Sequence, residues 1–149
     1  MVQVAQVSNP QPSFNWEELL VLLRDELQEY GGLVGLLSAQ QQSILNRRPE
    51  SLLEINQSVQ TQMEASQMLQ RRRQGYVSSI AEFFGEDRTS TLSELVSHFP
   101  MVTQPMFLSI IDEINSLISQ VRNKVEQNQR LLKRLTEVTD QILLVADPS

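Results

Sequence analysis

A chain of 149 residues can bury one core, or form one bundle with a short tail. Its 18 acidic residues outnumber 12 Lys and Arg to give a formal net charge of −6. That balance speaks against nucleic-acid binding, because phosphate neutralisation needs clustered positive charge. The absence of cysteine excludes disulfides and thiolate metal sites, and no apolar run approaches the ~20 residues that span a bilayer, so no stable membrane insertion is expected.

Residues 1–13, with Pro10 and Pro12, are expected to form a flexible arm. They lack the basic start and apolar run of a signal peptide, which points to a cytoplasmic location. A weak Val2–Val4 alternation is the only hint of a strand. The first helix is expected over about 15–46. Asn15 and Glu18 have the spacing of a capping box, and Phe14 and Leu19 that of a hydrophobic staple. Trp16, Leu20, Leu23, Leu27, Tyr30, Val34, Leu37 and Ile44 then follow steps of three and four, interrupted by Gln41. Leu19, Leu22, Leu33 and Leu36 widen the stripe to that of a bundle helix.

Arg48 precedes Pro49 and is pushed out of the α region, so a second helix is expected from Pro49 to about residue 84, closed by Gly85. Its seam reads Leu52, Ile55, Val59, Leu69, Tyr76, Ile80 and Phe83, with the polar Gln62, Ser66 and Arg73 on the same phase. A turn this short makes the two helices antiparallel. After a charged loop, Thr91 and Glu94 form a second capping box opening a short helix over 91–98, which must end before Pro100. The last helix, over about 105–145, carries Phe107, Ile111, Ile114, Ile118, Val121, Val125, Leu132, Leu135 and Ile142 on one stripe, flanked by Ile110, Leu117, Leu131 and Val138. It should be roughly 60 Å long against roughly 48 Å for each of the first two, so part of its apolar face exceeds what its own chain can cover. The expected architecture is all-α: an elongated antiparallel bundle of three long helices plus one short helix, forming a single domain over residues 14–146.

Enzymatic readings find little support. The single histidine, His98, lies one turn after Glu94, but one histidine and one carboxylate do not make a metal site, and no Glu-x-x-His pairs of a di-iron bundle occur. Neither a Gly-rich phosphate loop nor a nucleophile elbow is present. No catalytic, cofactor or metal residue is therefore assigned, and no small-molecule substrate is expected. Arg71, Arg72 and Arg73 are consecutive on a helix and point ~100° apart, so they fan out as a solvated flank with one snorkelling stem.

Gly31, Gly32 and Gly35 interrupt the first helix without breaking its phase. Gly31 and Gly35, one turn apart and opposite the Gln60–Ala65 region, suit close helix packing, with a hinge as the functional alternative. Asn128 falls on the core phase of the last helix, either as a register-setting polar residue or where the stripe opens to a partner. Around it Arg122, Lys124, Arg130, Lys133 and Arg134 oppose only Glu126, a basic stretch suited to an acidic partner.

The layout Trp16-Glu-Glu-Leu-Leu, Leu27-Gln-Glu-Tyr30, Leu36-Leu37 with its glutamine run, Arg71 to Arg73, Thr91-Leu-Ser-Glu-Leu95 and Asn128-Gln-Arg-Leu-Leu132 resembles the FlgN-type flagellar export chaperones. The likeness extends from about Trp16 to Val145 and departs from the family pattern at the Gly31–Gly35 cluster. The resemblance implies a cytoplasmic chaperone without ATPase activity. Such a chaperone holds the C-terminal helical part of hook–filament junction proteins ready for the type III export apparatus. It also implies that the C-terminal segment binds substrate, which on this chain selects Val125, Asn128, Arg130, Leu132, Lys133, Arg134, Leu135, Val138, Ile142 and Leu143. The alternative is a helical scaffold or tethering protein, unrelated to flagella, whose long helices self-associate into a larger bundle.

Overall fold

The computed structural model describes residues 15–146, with side chains as far as Val138. The expected arm and the staple residue Phe14 lie outside the described residues. Four α-helices follow in order: α1, Trp16–Leu45; α2, Pro49–Phe83; α3, Leu92–Leu95; and α4, Gln104–Ala146. Two short 3-10 turns, Val96–His98 and Met101–Thr103, link α3 to α4, and no strand occurs among the described residues. The short helix expected as one α-helical piece therefore tightens after its first turn. Phe99, in extended backbone, and Pro100 separate the two 3-10 turns.

Local chemistry sets each helix end. Asn15 Oδ1 accepts from the amides of Glu17 (3.0 Å) and Glu18 (3.3 Å). Tyr76 on α2 donates its hydroxyl to the Asn15 carbonyl (3.0 Å), fastening the start of α1 to its neighbour. At α3 the capping box is reciprocal: Thr91 Oγ1 accepts from the Glu94 amide, and the Glu94 carboxylate accepts from the Thr91 amide, both at 3.3 Å.

Both α1 and α2 close with the same paired bonds. Arg47 N–H reaches Ile44 O and Arg48 N–H reaches Ser43 O; Gly85 N–H reaches Glu82 O and Glu86 N–H reaches Ala81 O. This Schellman closure requires a left-handed residue, supplied at φ 70° by Gly85 and at φ 52° by Arg47. A glycine suits that region at no steric cost, whereas Arg47 holds it against its own Cβ.

The turn at 46–48 sends α2 back antiparallel to α1, and the 84–103 connection returns α4 alongside α1 in the same direction. Trp16 meets Phe107 at one end, and Asn128 meets Leu37 and Gln40 further up. Helix α1 is the central element: α2 and α4 both pack along it and make scarcely any contact with each other. That explains the width of its stripe. The buried apolar residues of α1 are Leu19, Leu22, Leu23, Tyr30, Leu33, Leu37 and Ile44, whereas Trp16, Leu20, Leu27 and Val34 are only half-buried.

The base of the bundle holds the larger core. Phe99 and Phe107 meet edge to face at 5.1 Å, and Trp16 meets Phe99 at 4.1 Å. Leu92 and Leu95 of α3 and Val96 of the 3-10 turn after it close over Leu19, Leu23, Ile80 and Ile111. A smaller cluster higher up joins Leu33, Leu37 and Val59 with Ile55, Met63, Val121 and Val125.

Candidate partner-binding surface

Between these cores lies a polar layer. Glu26 of α1 is 0 % exposed, and Arg73 Nε of α2 donates to both of its carboxylate oxygens at 2.7 and 2.9 Å. The Tyr30 hydroxyl, one turn along α1, adds a third bond at 3.1 Å. An isolated carboxylate would not tolerate this burial; a charge-assisted pair with a hydroxyl donor does. Burial, and then the Glu26 charge, push the Tyr30 phenol up to about 12. Of the three consecutive arginines, Arg71 and Arg72 are exposed and only Arg73 turns inward.

The glycine cluster packs differently from the expected Gly31–Gly35 contact. Nothing lies within 4 Å of a Cβ added at Gly31 or Gly35, whereas one at Gly32 would lie 3.1 Å from Gln62 Nε2. That amide donates to the Glu29 carbonyl oxygen (3.2 Å) and to the Glu29 carboxylate. The helical phase places Gly32, not its neighbours, toward α2. Helix α1 is continuous through all three glycines.

His98 stacks on Phe84, with centroids 4.9 Å apart and planes 15° apart, and its Nε2 lies 3.0 Å from Glu86. This fixes the loop after α2 against the 3-10 turn. No three His, Cys, Asp or Glu residues gather as metal ligands among the described residues.

The segment from Val125 onward presents two kinds of residue. Val125 packs on the upper cluster, and Asn128, 2 % exposed, donates Nδ2 to Leu37 O (2.9 Å) and Gln40 Oε1 (2.8 Å). Both face α1. Asn128 Oδ1 is buried without a hydrogen-bond partner. Further along, Leu132 and Leu135 are half-buried, Lys133 and Arg134 are exposed, and exposed Arg130 pairs with Glu126 one turn back at 2.6 Å. Val138 is 44 % exposed, and the side chains of Ile142 and Leu143 lie outside the described residues. Counting from the Asn128–Leu37 contact, α1 ends at Leu45 level with about Thr136. The remaining ~15 Å of α4 therefore runs past the end of its neighbour.

Sequence reasoning missed Glu26. The signal was present: Glu26 lies three residues after Leu23 and four before Tyr30, facing a helix whose own seam carries Arg73.

Among the described residues the structure is an all-α bundle in which the last helix runs past the end of its neighbour. The family model described as FlgN protein matches residues 15–149, nearly the whole chain. The chain belongs to that family, the FlgN-type flagellar export chaperones. No curated protein and no solved structure is significantly similar to it. No helix among the described residues is long and apolar enough to cross a membrane.

Proposed function

We propose that this protein is a cytoplasmic, non-enzymatic chaperone that binds the C-terminal helical part of hook–filament junction proteins and presents them to the flagellar export apparatus. The family match over residues 15–149 carries this reading. The shape of α4 supports the choice of surface. Leu132, Leu135, Val138, Ile142 and Leu143 recur at helical spacing along the part of α4 that approaches and passes the end of α1. A partner helix laid along that stripe would bury it. Arg130, Lys133 and Arg134 would favour acidic flanks on the partner. Val125 and Asn128, turned toward α1, would then set the register of α4 and leave direct contact to the residues beyond them.

Leu135→Asp and Val138→Asp test this assignment by co-purification with a hook–filament junction protein, with circular dichroism to confirm that each variant is folded. Both are expected to lose at least tenfold in affinity, on the order of the cost of putting a charge into an apolar contact. Undiminished binding by the folded variants would refute the surface. The self-associating scaffold predicts instead an obligate oligomer across a dilution series, with α4 buried between copies.

A further inference from the structure

A second surface lies on another face of the molecule, where α2 and α4 diverge over α1. Two cavities open there in line. The lower, of about 530 Å³, has Leu23 as its floor, Val77 and Ile114 as its walls and Arg88 at its rim. The upper, of about 280 Å³, is floored by Tyr30 and Leu33, between Met63 of α2 and Val121 and Arg122 of α4. The Glu26–Arg73 pair stands between them, one turn above Leu23 and one turn below Tyr30. Their linings follow α2 from Met63 to Ser78, roughly 22 Å or four helical turns, and the 88–93 connection bounds the lower end of this groove.

Its chemistry differs from that of the chain as a whole. The protein carries 18 acidic residues against 12 Lys and Arg, yet every charged residue lining the two cavities is an arginine: Arg73, Arg88 and Arg122. Arg73 is held by Glu26, while Arg88 and Arg122 have no ion-pair or hydrogen-bond partner among the described residues. The α2 wall adds Gln67, Gln70 and Gln74, one turn apart, as a ladder of amide donors and acceptors. An apolar floor, a length of four turns and cationic rims fit an amphipathic helix whose flanks are acidic.

We propose that the groove between α2 and α4 docks one such helix from a partner protein, completing a four-helix cross-section. A second copy of this chain fits poorly. The helix it could offer, α4 from Arg130 to Ala146, carries Arg130, Lys133 and Arg134 against Glu137 and Asp140, so its flanks are not the acidic ones that the arginine rims call for. The proposal is independent of the flagellar reading and of the outer surface of α4.

The test uses the full chain and two synthetic probe helices of about 18 residues, alike in their leucine stripe but flanked by Glu in one and by Lys in the other. Fluorescence anisotropy at low salt is expected to show the Glu-flanked probe binding about tenfold or more tightly than the Lys-flanked one. Arg88→Glu with Arg122→Glu should reverse that order. Gln67→Trp, an exposed position projecting a bulky ring into the upper cavity, should weaken the Glu-flanked probe at least tenfold with helicity unchanged. Leu135→Asp should leave probe binding intact, separating this groove from the outer surface of α4. Equal affinity for the two probes, or affinity indifferent to both the charge reversal and Gln67→Trp, would overturn the proposal. So would a dimer of the full chain that Gln67→Trp dissociates, because a second copy would then be the occupant.

Discussion

Arg47 closes α1 in a conformation that favours glycine, φ 52°, whereas α2 closes with Gly85 in the same role. Replacing Arg47 by glycine should keep the Schellman bonds while relieving the Cβ contact, raising stability by about 0.5–1 kcal/mol in thermal or urea unfolding. A neutral or destabilising result would show that the Arg47 side chain contributes more than the backbone strain costs. Tyr30 offers a second test at this scale. Its phenol is raised to about 12 against 10.0 when unfolded, so the folded chain keeps a proton that the unfolded chain releases. Tyr30 therefore contributes stability that is complete below pH 10 and is lost as the pH climbs toward 12. Tyr30→Phe should flatten that decline in an alkaline unfolding series, while Tyr76→Phe should flatten it less.

Between elements, the joint of most consequence is the Glu26–Arg73 pair linking α1 to α2 above the basal core. Arg73→Ala leaves a fully buried carboxylate with only the Tyr30 hydroxyl and should destabilise by about 3 kcal/mol. Glu26→Leu combined with Arg73→Leu should cost far less than that single change, because an apolar pair removes both desolvation penalties. A double-mutant cycle in urea checks the coupling, and equal losses in the single and double variants would contradict it.

How much of the structure the sequence disclosed also differs by element. The helices and their ends were legible because they rest on local rules: Asn15, Thr91 with Glu94, Pro49 and Gly85 act within a few residues of themselves. The Arg47 closure escaped notice because left-handed backbone at an arginine is imposed by the turn into α2, a tertiary demand. The Glu26 site needed two seams to be laid face to face, which one-dimensional periodicity does not do. Likewise Gln62, Ser66 and Arg73 read as polar interruptions of a seam. In the fold Gln62 and Arg73 bond to Glu29 and Glu26 of α1, and Ser66 lines the upper cavity between α2 and α4. The glycine cluster was placed opposite the correct stretch of α2, but the residue that meets Gln62 is Gly32, a choice decided by helical phase at that crossing.

For the whole molecule, the three long helices are unequal partners. The core is heaviest at the aromatic base, thins through the Glu26 layer to the Leu33–Leu37–Val59 cluster, and gives way to a single helix beyond Thr136. Because opening free energy follows local contact density, the aromatic base is expected to open last and the far end of α4 first. Asn128, with its amide nitrogen bonded and its amide oxygen without a partner, is the last residue of α4 buried against α1 among the described residues. The parts of the candidate surface that rest on the resemblance, rather than on periodicity, are the identity of the partner and the choice of the C-terminal segment.

Hydrogen exchange of the full chain, alone and with a hook–filament junction protein, tests the central claim most directly. The account predicts that amides of the basal helices exchange at the same rates in both states, while those from Arg130 to Ala146 slow by at least tenfold in the complex. No complex at all, or protection that spares α4 beyond Asn128, would contradict it.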